Sequence, residues 1–460
     1  MSESKKEIPG ILLIYHCPIV KTPYLIQEHI DAFKGCSQFE VRTINTVFGF
    51  PDGLEDFEFQ VIILSYTLFA WKPFFIDKGF RDYIEHSSAF KVAFFQDEYR
   101  FWPERSEFIN SCKIDLVYTN LEPPYFAETY GKLTSAKQIK YYLSGYVSSR
   151  LIEDGLSLFK PDSDRPVDIG YRGRQSYHYM GKGAKEKTII GDQFKERAAN
   201  LGLVLDIESD EDRRIYGYDW LAFLANCRAV LGVEAGVTIF DLNNEMMPRY
   251  ESIIAKNPDI SFDEISKLLL HEYEGKSIYN RMISPRIFEA ASVCACQILF
   301  EGRYSGVLVP NVHYIPLKKD FSNFDDVIRQ FRDPGVRQML SANAYRDLIK
   351  SGVYSYENFI NEFDHALLEA GVVQQMDVPG NVEAVTLLIY EHSYRKLLEI
   401  AESGEAKYMD TLRRYVGLQY QYGDLYRQYQ ELRERGLHEV GSANESRVSK
   451  IRRSIKYILG

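Results

Sequence analysis

The strongest constraint on the fold is the alternation of short apolar segments with stretches that have helical periodicity. Val61-Ile-Ile-Leu64 is a continuous apolar run, as expected of a strand buried on both faces of a sheet. Strands of this kind that are separated by helices form parallel sheets, so the chain is predicted to be α/β. The first series of strands is predicted at Ile11–Tyr15, Phe39–Ile44, Phe59–Ser65, Lys91–Gln96 and Leu116–Thr119.

A second series of strands and helices follows residues 146–166, a segment whose prolines and charges, in Lys160–Pro166, predict a linker. The later strands are predicted at Val167–Tyr171, Leu203–Asp206, Ala229–Val233, Cys296–Phe300 and His313–Leu317. Two α/β domains are therefore predicted, over 1–145 and 167–371. Residues 372–460 have few strand signals and are predicted to form a helical extension.

Composition and charge narrow the function classes. The chain is 45% hydrophobic and 26% charged, which is typical of a folded protein, and its net charge of −10 argues against a general nucleic-acid binder. The six cysteines form no CxxC pair, so we expect buried thiols in a reducing compartment and no zinc site. We find neither a signal peptide nor a run of about 20 apolar residues, and a cytoplasmic protein is expected.

The most informative segment is residues 283–301, which has the pattern of a loop, a helix and a strand. Pro285 and Arg286 are predicted to open the helix, and Glu289 lies within its first turn. The amino end of a helix offers free N–H groups and a positive dipole to a phosphate, and a carboxylate can accept hydrogen bonds from ribose hydroxyls. A capped surface helix with Arg286 and Glu289 in solvent explains the same residues.

These residues also carry a family resemblance. Arg286-Ile-Phe-Glu289-Ala-Ala, followed by an apolar strand and by His313-Tyr-Ile-Pro-Leu317, resembles the donor-site segment of GT-B glycosyltransferases. The similarity is to the spore-maturation-type and polysaccharide-cluster transferases, whose pattern is R-x-F-E-A. Asp168–Arg174 and Trp220–Thr238 resemble two further segments of that family. The resemblance implies two facing Rossmann-like domains and transfer of a sugar from a nucleotide-diphosphate donor, without a further cofactor or a metal.

The resemblance also implies which residues bind the donor. Glu289 would bind the ribose and Arg286 the pyrophosphate, while other arginines would stabilise the leaving diphosphate. The full donor-binding set is Arg172, Arg174, Gly236, Thr238, Arg286 and Glu289. Two features depart from the family: Arg281 stands where many retaining members have a glutamate, and Cys294-Ala295 replaces the usual glycine turn. Stereochemistry and donor identity therefore stay open.

The binding site for the sugar acceptor is predicted to lie in the N-terminal domain. Asp97, within Phe94–Arg100, follows a predicted strand, where ligands of open α/β sheets bind. Asp97 or the adjacent Glu98 could accept the proton of an acceptor hydroxyl, and His16, just after the first strand, is a second candidate base. Each of them also has a purely structural explanation. The acceptor that the family implies is a growing surface glycan or its lipid-linked precursor.

The C-terminal region carries two further patterns. Leu412, Tyr415, Gln419, Tyr422, Tyr426 and Tyr429 recur at spacings of three and four, which predicts either a seam between subunits or a helix docked on its own domain. Arg447–Leu459 has an apolar face and a basic face. Such a helix can lie on the inner face of an anionic membrane, or it can pack on an acidic protein surface.

Three other functions remain open at this point. A nucleotide-sugar epimerase could use the same pair of domains without an acceptor. A non-catalytic scaffold of a glycan-synthesis complex could use the Tyr-rich helices for assembly. A nicotinamide dehydrogenase is disfavoured because Gly170-Tyr-Arg-Gly173 and Gly181-Lys-Gly183 do not complete a G-x-G-x-x-G fingerprint.

Overall fold

The computed structural model describes residues 5–18, 24–274, 278–374 and 379–402. Its strands are β1 (Lys6–Tyr15), β2 (Val41–Asn45), β3 (Phe57–Leu64), β4 (Phe90–Phe95), β5 (Leu116–Thr119), β6 (Gln138–Tyr141), β7 (Val167–Arg172), β8 (Leu205–Glu208), β9 (Cys227–Gly232), β10 (Ala235–Val237), β11 (Asn280–Met282), β12 (Cys296–Phe300) and β13 (Ile315–Leu317). Its α-helices are α1 (Tyr24–Cys36), α2 (Lys78–His86), α3 (Trp102–Cys112), α4 (Ser149–Leu158), α5 (Lys182–Ala198), α6 (Gly217–Ala225), α7 (Met246–Lys256), α8 (Phe262–Leu268), α9 (Pro285–Ser292), α10 (Phe324–Arg332), α11 (Pro334–Ala344), α12 (Tyr356–Glu369) and α13 (Pro379–Glu402).

The chain divides into two compact units. Unit 1 comprises residues 1–90 and 367–460, and unit 2 comprises residues 91–366. Unit 1 is thus built from two segments that are far apart in the sequence. The domain boundaries expected near 145 and 167 stay a prediction.

Unit 1 contains a parallel arrangement of β1 between β2 and β3. Ile11 is in register with Val41 on one side and with Val61 on the other. The side chains of 11–14 and 61–64 are fully buried, which accounts for the continuous apolar runs in the sequence.

Helix α13 belongs to the same unit although it follows at the far end of the described chain. The Nε2 of His392 lies 2.9 Å from the Phe48 carbonyl and donates to it, and Leu397 packs against the Phe48 side chain. Near the start of the helix, Asn381 donates to the Glu7 carbonyl of β1 at 3.4 Å. Unit 1 therefore includes a helix, α13, that comes much later in the sequence than its strands.

Unit 2 holds two further sets of strands. In the first, β4, β5 and β6 are parallel and adjacent, with Phe94 stacked on Tyr118 at a centroid distance of 4.6 Å. In the second, five parallel strands have the order β13-β12-β9-β7-β8. The chain passes from β7 to β8 on one side and then returns to β9 on the other side. This reversal of strand order creates a topological switch point between the carboxyl ends of β7 and β9.

The α/β class and the parallel sheets are confirmed, and two local predictions need correction. The predicted linker, 146–166, contains α4, because Ser148 caps this helix by accepting from the Leu151 amide at 3.0 Å and Leu151 is buried in the core. The sequence pattern predicts a helix over Gly191–Leu201, whereas the helix of this region, α5, begins at Lys182 and ends at Ala198. Over the described ranges, no helix has both the length and the apolarity that a membrane span requires.

Candidate functional site

A cavity of about 240 Å³ lies at the switch point between β7 and β9. Its walls come from β7, β9, the middle of α5, one face of α6 and the first turn of α9. The residues that line it are Gly170, Tyr171, Arg174, Lys187, Arg214, Trp220, Leu224, Val230, Leu231, Gly232, Val233, Glu234, Ala235, Ser284, Arg286, Ile287 and Gln297. Open parallel sheets bind ligands at this position because the strands on either side leave a crevice there.

The lining of this cavity is strongly cationic. Four of its side chains are basic, Arg174, Lys187, Arg214 and Arg286, and one is acidic, Glu234. The pKa of Lys187 is lowered to about 8, first by burial and further by the charges of nearby arginines that include Arg174 and Arg286. Cations held this close to one another favour an anionic ligand, which would relieve their mutual repulsion.

The first turn of α9 supplies one wall of the cavity. Ser284 caps the helix, its hydroxyl accepting from the Arg286 amide at 3.4 Å, and Pro285 occupies the first position, where its missing N–H costs nothing. The Arg286 side chain donates to the Arg172 carbonyl at 2.6 Å and lies 5.1 Å from the centre of the Trp220 ring. Arg286 is thereby held at the mouth of the cavity with its charge exposed.

Four of the six predicted donor-binding residues do not line the cavity: Arg172, Gly236, Thr238 and Glu289. The Arg172 guanidinium forms an ion pair with Asp206 at 2.8 Å, donates to the Arg213 carbonyl at 3.1 Å and lies 4.4 Å from the centre of the Phe223 ring. Glu289 accepts a 2.7 Å hydrogen bond from the indole N–H of Trp220, which does line the cavity.

The environment of Glu289 also changes its titration. Burial raises the pKa of the Glu289 carboxyl, and the hydrogen bond from Trp220 and the charge of Arg286 oppose this rise.

Gly236 and Thr238 lie near the amino end of α5. Gly236 has φ +82°, and a Cβ there would stand 2.1 Å from the Asn280 carbonyl oxygen, so the pairing of β10 with β11 requires glycine. The Thr238 hydroxyl accepts from the Gly183 amide at 3.1 Å. Glu274 accepts from the Lys182 amide at 2.7 Å, so protein groups already cap α5. The amino end of α9, rather than that of α5, meets the cavity.

Asp97 lies in a turn after β4, with φ +52°, and its side chain is exposed. Its charge opposes the fall in the pKa of Lys187, although Asp97 does not line the cavity. The next residue, Glu98, is fully buried and accepts hydrogen bonds from the Thr119 hydroxyl and, at 2.8 Å, from Tyr130. Burial raises the pKa of Glu98 to about 7.

His16 belongs to unit 1, where it follows β1. Its Nδ1 lies 3.0 Å from the Thr46 hydroxyl, and its ring stacks on Phe75 at 3.8 Å with an interplanar angle of 10°. Burial lowers the pKa of the His16 imidazole. The ring is therefore held in one orientation and is neutral at pH 7, as a general base must be.

Three residues at the cavity were missed by the sequence reasoning. Lys187 lies before Gly191, where the sequence pattern starts the helix, so it was not considered, and Trp220 was noted only as the start of a segment. Glu234 is almost completely buried, accepting from the amides of Arg303 at 3.0 Å and Tyr304 at 2.9 Å. A hydrophobic strand that ends in glycine and glutamate was the available signal for Glu234.

The other predictions concern the C-terminal region or metal binding. The Tyr-rich pattern of 412–429 and the basic pattern of 447–459 lie outside the described residues. Among the residues that the structure describes, no group of three or more His, Cys, Asp or Glu side chains is arranged to hold a metal ion.

Comparisons with known proteins give structural likenesses only. No protein-family model matches the chain, and no curated protein sequence matches it. Sucrose-phosphate synthase from Thermosynechococcus elongatus is similar over 80% of this chain and 99% of its own, with 11% identity and a TM-score of 0.42. HepE from Anabaena, solved with UDP and glucose, is similar over 78% of this chain and 100% of its own, with 11% identity and a TM-score of 0.43.

An alpha-glucosyltransferase solved with UDP-glucose and DNA containing an abasic site is also similar. The likeness covers 78% of this chain and 99% of that one, with 9% identity and a TM-score of 0.44. Because these TM-scores are below 0.5 and the identities are near 10%, the likenesses decide nothing about the ligand or the reaction of this chain.

Proposed function

We propose that the chain is a GT-B-type glycosyltransferase that binds a nucleotide-diphosphate sugar in the cavity between β7 and β9 and transfers the sugar to an acceptor hydroxyl. One observation carries the proposal. Among the described residues, Arg174 and Lys187 form no ion pair, yet they share this cavity with Arg286. A diphosphate supplies the compact negative charge that such a group of cations lacks.

The position of these cations at the proposed diphosphate site supports glycosyl transfer as the reaction. Sugar transfer from a nucleotide sugar generates a nucleoside diphosphate, whose developing charge must be stabilised as the glycosidic bond breaks. In the proposal, Arg174, Lys187 and Arg286 supply the positive charge for this task without a metal ion. The R-x-F-E-A resemblance at Arg286–Ala290 supports sugar nucleotides over other diphosphates.

The acceptor must lose a proton as its oxygen attacks the sugar. Asp97 is our first candidate for the group that receives this proton, because its side chain is exposed in the turn that follows β4. His16 is the second candidate, since its orientation is fixed by Thr46 and Phe75. In the proposal the acceptor is a surface glycan or its lipid-linked precursor.

A thermal-shift screen tests the donor site. Purified protein is heated with UDP, GDP, CDP, TDP, UMP or NAD, and a ligand at 100 times its Kd should add about 2.7 kcal/mol to the free energy of unfolding. We expect stabilisation by one nucleoside diphosphate and a smaller response to UMP. The Arg286→Ala variant should lose the effect, while Arg332→Ala, a surface arginine outside the cavity, should keep it.

The alternatives give different results in the same screen. No response to any diphosphate would favour the scaffold function, and a response to NAD alone would refute the transferase. An epimerase would bind the diphosphate too, but it would convert the nucleotide sugar without an acceptor, which product analysis by chromatography detects.

A further inference from the structure

The cavity between β7 and β9 has two ends that differ in burial and in chemistry. At its mouth, the side chains of Arg174 and Arg286 are exposed to solvent. At its other end, the walls are the almost completely buried side chains of Leu224, Val230 and Ile287. The cations at the mouth suit the charged part of a ligand, whereas the buried end suits a part with apolar surface.

Gln297 brings a polar group to the buried end of the cavity. It is 1% exposed and is in register with Val230 on the neighbouring strand β9. Its amide Nε2 donates to the Ile287 carbonyl of α9 at 3.3 Å, so the nitrogen side of the amide is turned to the helix. Among the described residues, no group donates to the buried amide oxygen Oε1. A buried acceptor without a donor is costly, so a ligand that donates to Oε1 would recover that cost on binding.

The neighbouring polar side chains of the cavity are already engaged within the protein. The indole N–H of Trp220 donates to Glu289 at 2.7 Å, and the Tyr171 hydroxyl donates to the Lys187 carbonyl at 2.6 Å. Gln297 Oε1 therefore lies among apolar walls and engaged polar groups. The part of a ligand that fits there carries an N–H or O–H at one point and apolar surface elsewhere.

We propose that the buried end of the cavity binds the base of the donor nucleotide and that Gln297 Oε1 accepts a hydrogen bond from an N–H of that base. A nucleobase has flat apolar faces and N–H groups on its edge, as this end requires. A sugar ring carries several hydroxyls, and burial here would leave most of them without partners. The inference rests on the proposed function, and it assigns recognition of the base to a residue of β12.

The test compares a nucleoside diphosphate with inorganic pyrophosphate, which has the phosphates but no base. Isothermal titration calorimetry is done on the full-length protein and on Gln297→Met, with the diphosphate found in the thermal-shift screen. The variant should bind this diphosphate about 10-fold or more weakly, because the base N–H would be buried without an acceptor. Its affinity for pyrophosphate should stay the same. Gln297→Leu replaces the methionine variant if that variant does not fold.

A modified nucleotide tests the hydrogen bond itself. In an analogue whose base N–H groups are methylated, the donor to Gln297 is missing. The analogue should bind the original protein about 10-fold more weakly than its parent, and the loss should be clearly smaller in Gln297→Met, because the two changes remove the same interaction. A purely structural role of Gln297 predicts equal losses in the two proteins.

Asn280→Leu is the matched control. Asn280 also carries a primary amide, is 2% exposed, and has an Oδ1 to which no described residue donates, but it does not line the cavity. Its replacement removes the same chemical group from the same unit of the chain. It should leave the affinities for the nucleoside diphosphate and for pyrophosphate near their original values.

Three results would overturn the inference. Gln297→Met could weaken pyrophosphate as much as the nucleotide, which would show that Gln297 only supports the walls, or it could weaken neither ligand. The original protein could also bind pyrophosphate as tightly as every nucleoside diphosphate, and then the cations would remain a phosphate site without a pocket for the base. If the original protein binds no diphosphate at all, the proposed function fails together with this inference.

Discussion

Replacement of Lys187 by methionine gives the sharpest test of the donor site. Methionine fills the space of the lysine stem and removes only the charge, so the cavity should keep its shape. A hydrogen bond between charged groups contributes about 1.5–3 kcal/mol, and Lys187→Met should therefore weaken binding of a nucleoside diphosphate by roughly 10- to 150-fold. Isothermal titration calorimetry with the diphosphate found in the screen measures this loss.

The pH dependence of diphosphate binding gives a second quantitative prediction. In the free protein the pKa of Lys187 is about 8, and a bound diphosphate should return it toward the ordinary value of 10.5. Binding then takes up about half a proton at pH 8, and affinity should fall about tenfold between pH 7 and pH 9 as the free lysine loses its proton. Calorimetry in buffers of different ionisation enthalpy detects the proton uptake, which Lys187→Met should abolish.

Lys185→Met is the control for this experiment, because Lys185 lies on the same helix but does not line the cavity. It should leave both the affinity and the proton uptake at pH 8 near their original values. If Lys187→Met binds the diphosphate as tightly as the original protein and still takes up the proton, the assignment of the anion site is wrong.

Three further predictions concern other residues. Arg286→Ala should reduce diphosphate affinity by 10-fold or more with little change in Tm, whereas Arg172→Ala should mainly lower Tm, because it removes the partly buried ion pair with Asp206. Calorimetry and thermal melts distinguish the two effects, and equal losses of affinity would contradict this prediction. If the Glu289 carboxylate binds the ribose, Glu289→Ala should weaken the binding of the nucleoside diphosphate found in the screen but not the binding of inorganic pyrophosphate. Equal losses of affinity for both ligands in a titration would disprove that role. Burial raises the pKa of Glu98 to about 7, above its unfolded value near 4.5. The contribution of Glu98 to the free energy of unfolding is therefore largest below pH 4.5 and is lost as the pH rises toward 7, a change on the order of 3 kcal/mol. Urea unfolding at pH 5 and pH 8 should show this loss of stability, and Glu98→Gln should remove it.

The sequence was informative wherever local pattern decides structure. The apolar run at 61–64 correctly indicated a buried parallel strand, and the Pro285-Arg286 pair correctly indicated the start of α9. Arg174 and Arg286, chosen for their resemblance to a donor site, do line one cavity. Nearby residues in the chain determine the strand at 61–64 and the start of α9, so these two features can be predicted without knowledge of distant contacts.

The features that could not be predicted from the sequence depend on contacts between residues that are far apart in the chain. The start of α5 at Lys182 depends on Glu274, a residue 92 positions later that caps the helix, and no local pattern announces that partner. The late predicted start hid Lys187, the lysine that shares the cavity with Arg174 and Arg286. Arg172 was expected at the diphosphate, but its pairing with Asp206 of the neighbouring strand could be recognised only once β7 and β8 were placed side by side.

The discontinuity of unit 1 has a consequence for how the protein is made. Strands β1 to β3 leave the ribosome early, whereas α13, whose His392 and Leu397 pack on Phe48, follows only after all of residues 91–366. At about 5–20 residues per second, the intervening segment takes on the order of 15–55 seconds to synthesise. During that interval the nascent strands expose the surface that α13 later covers.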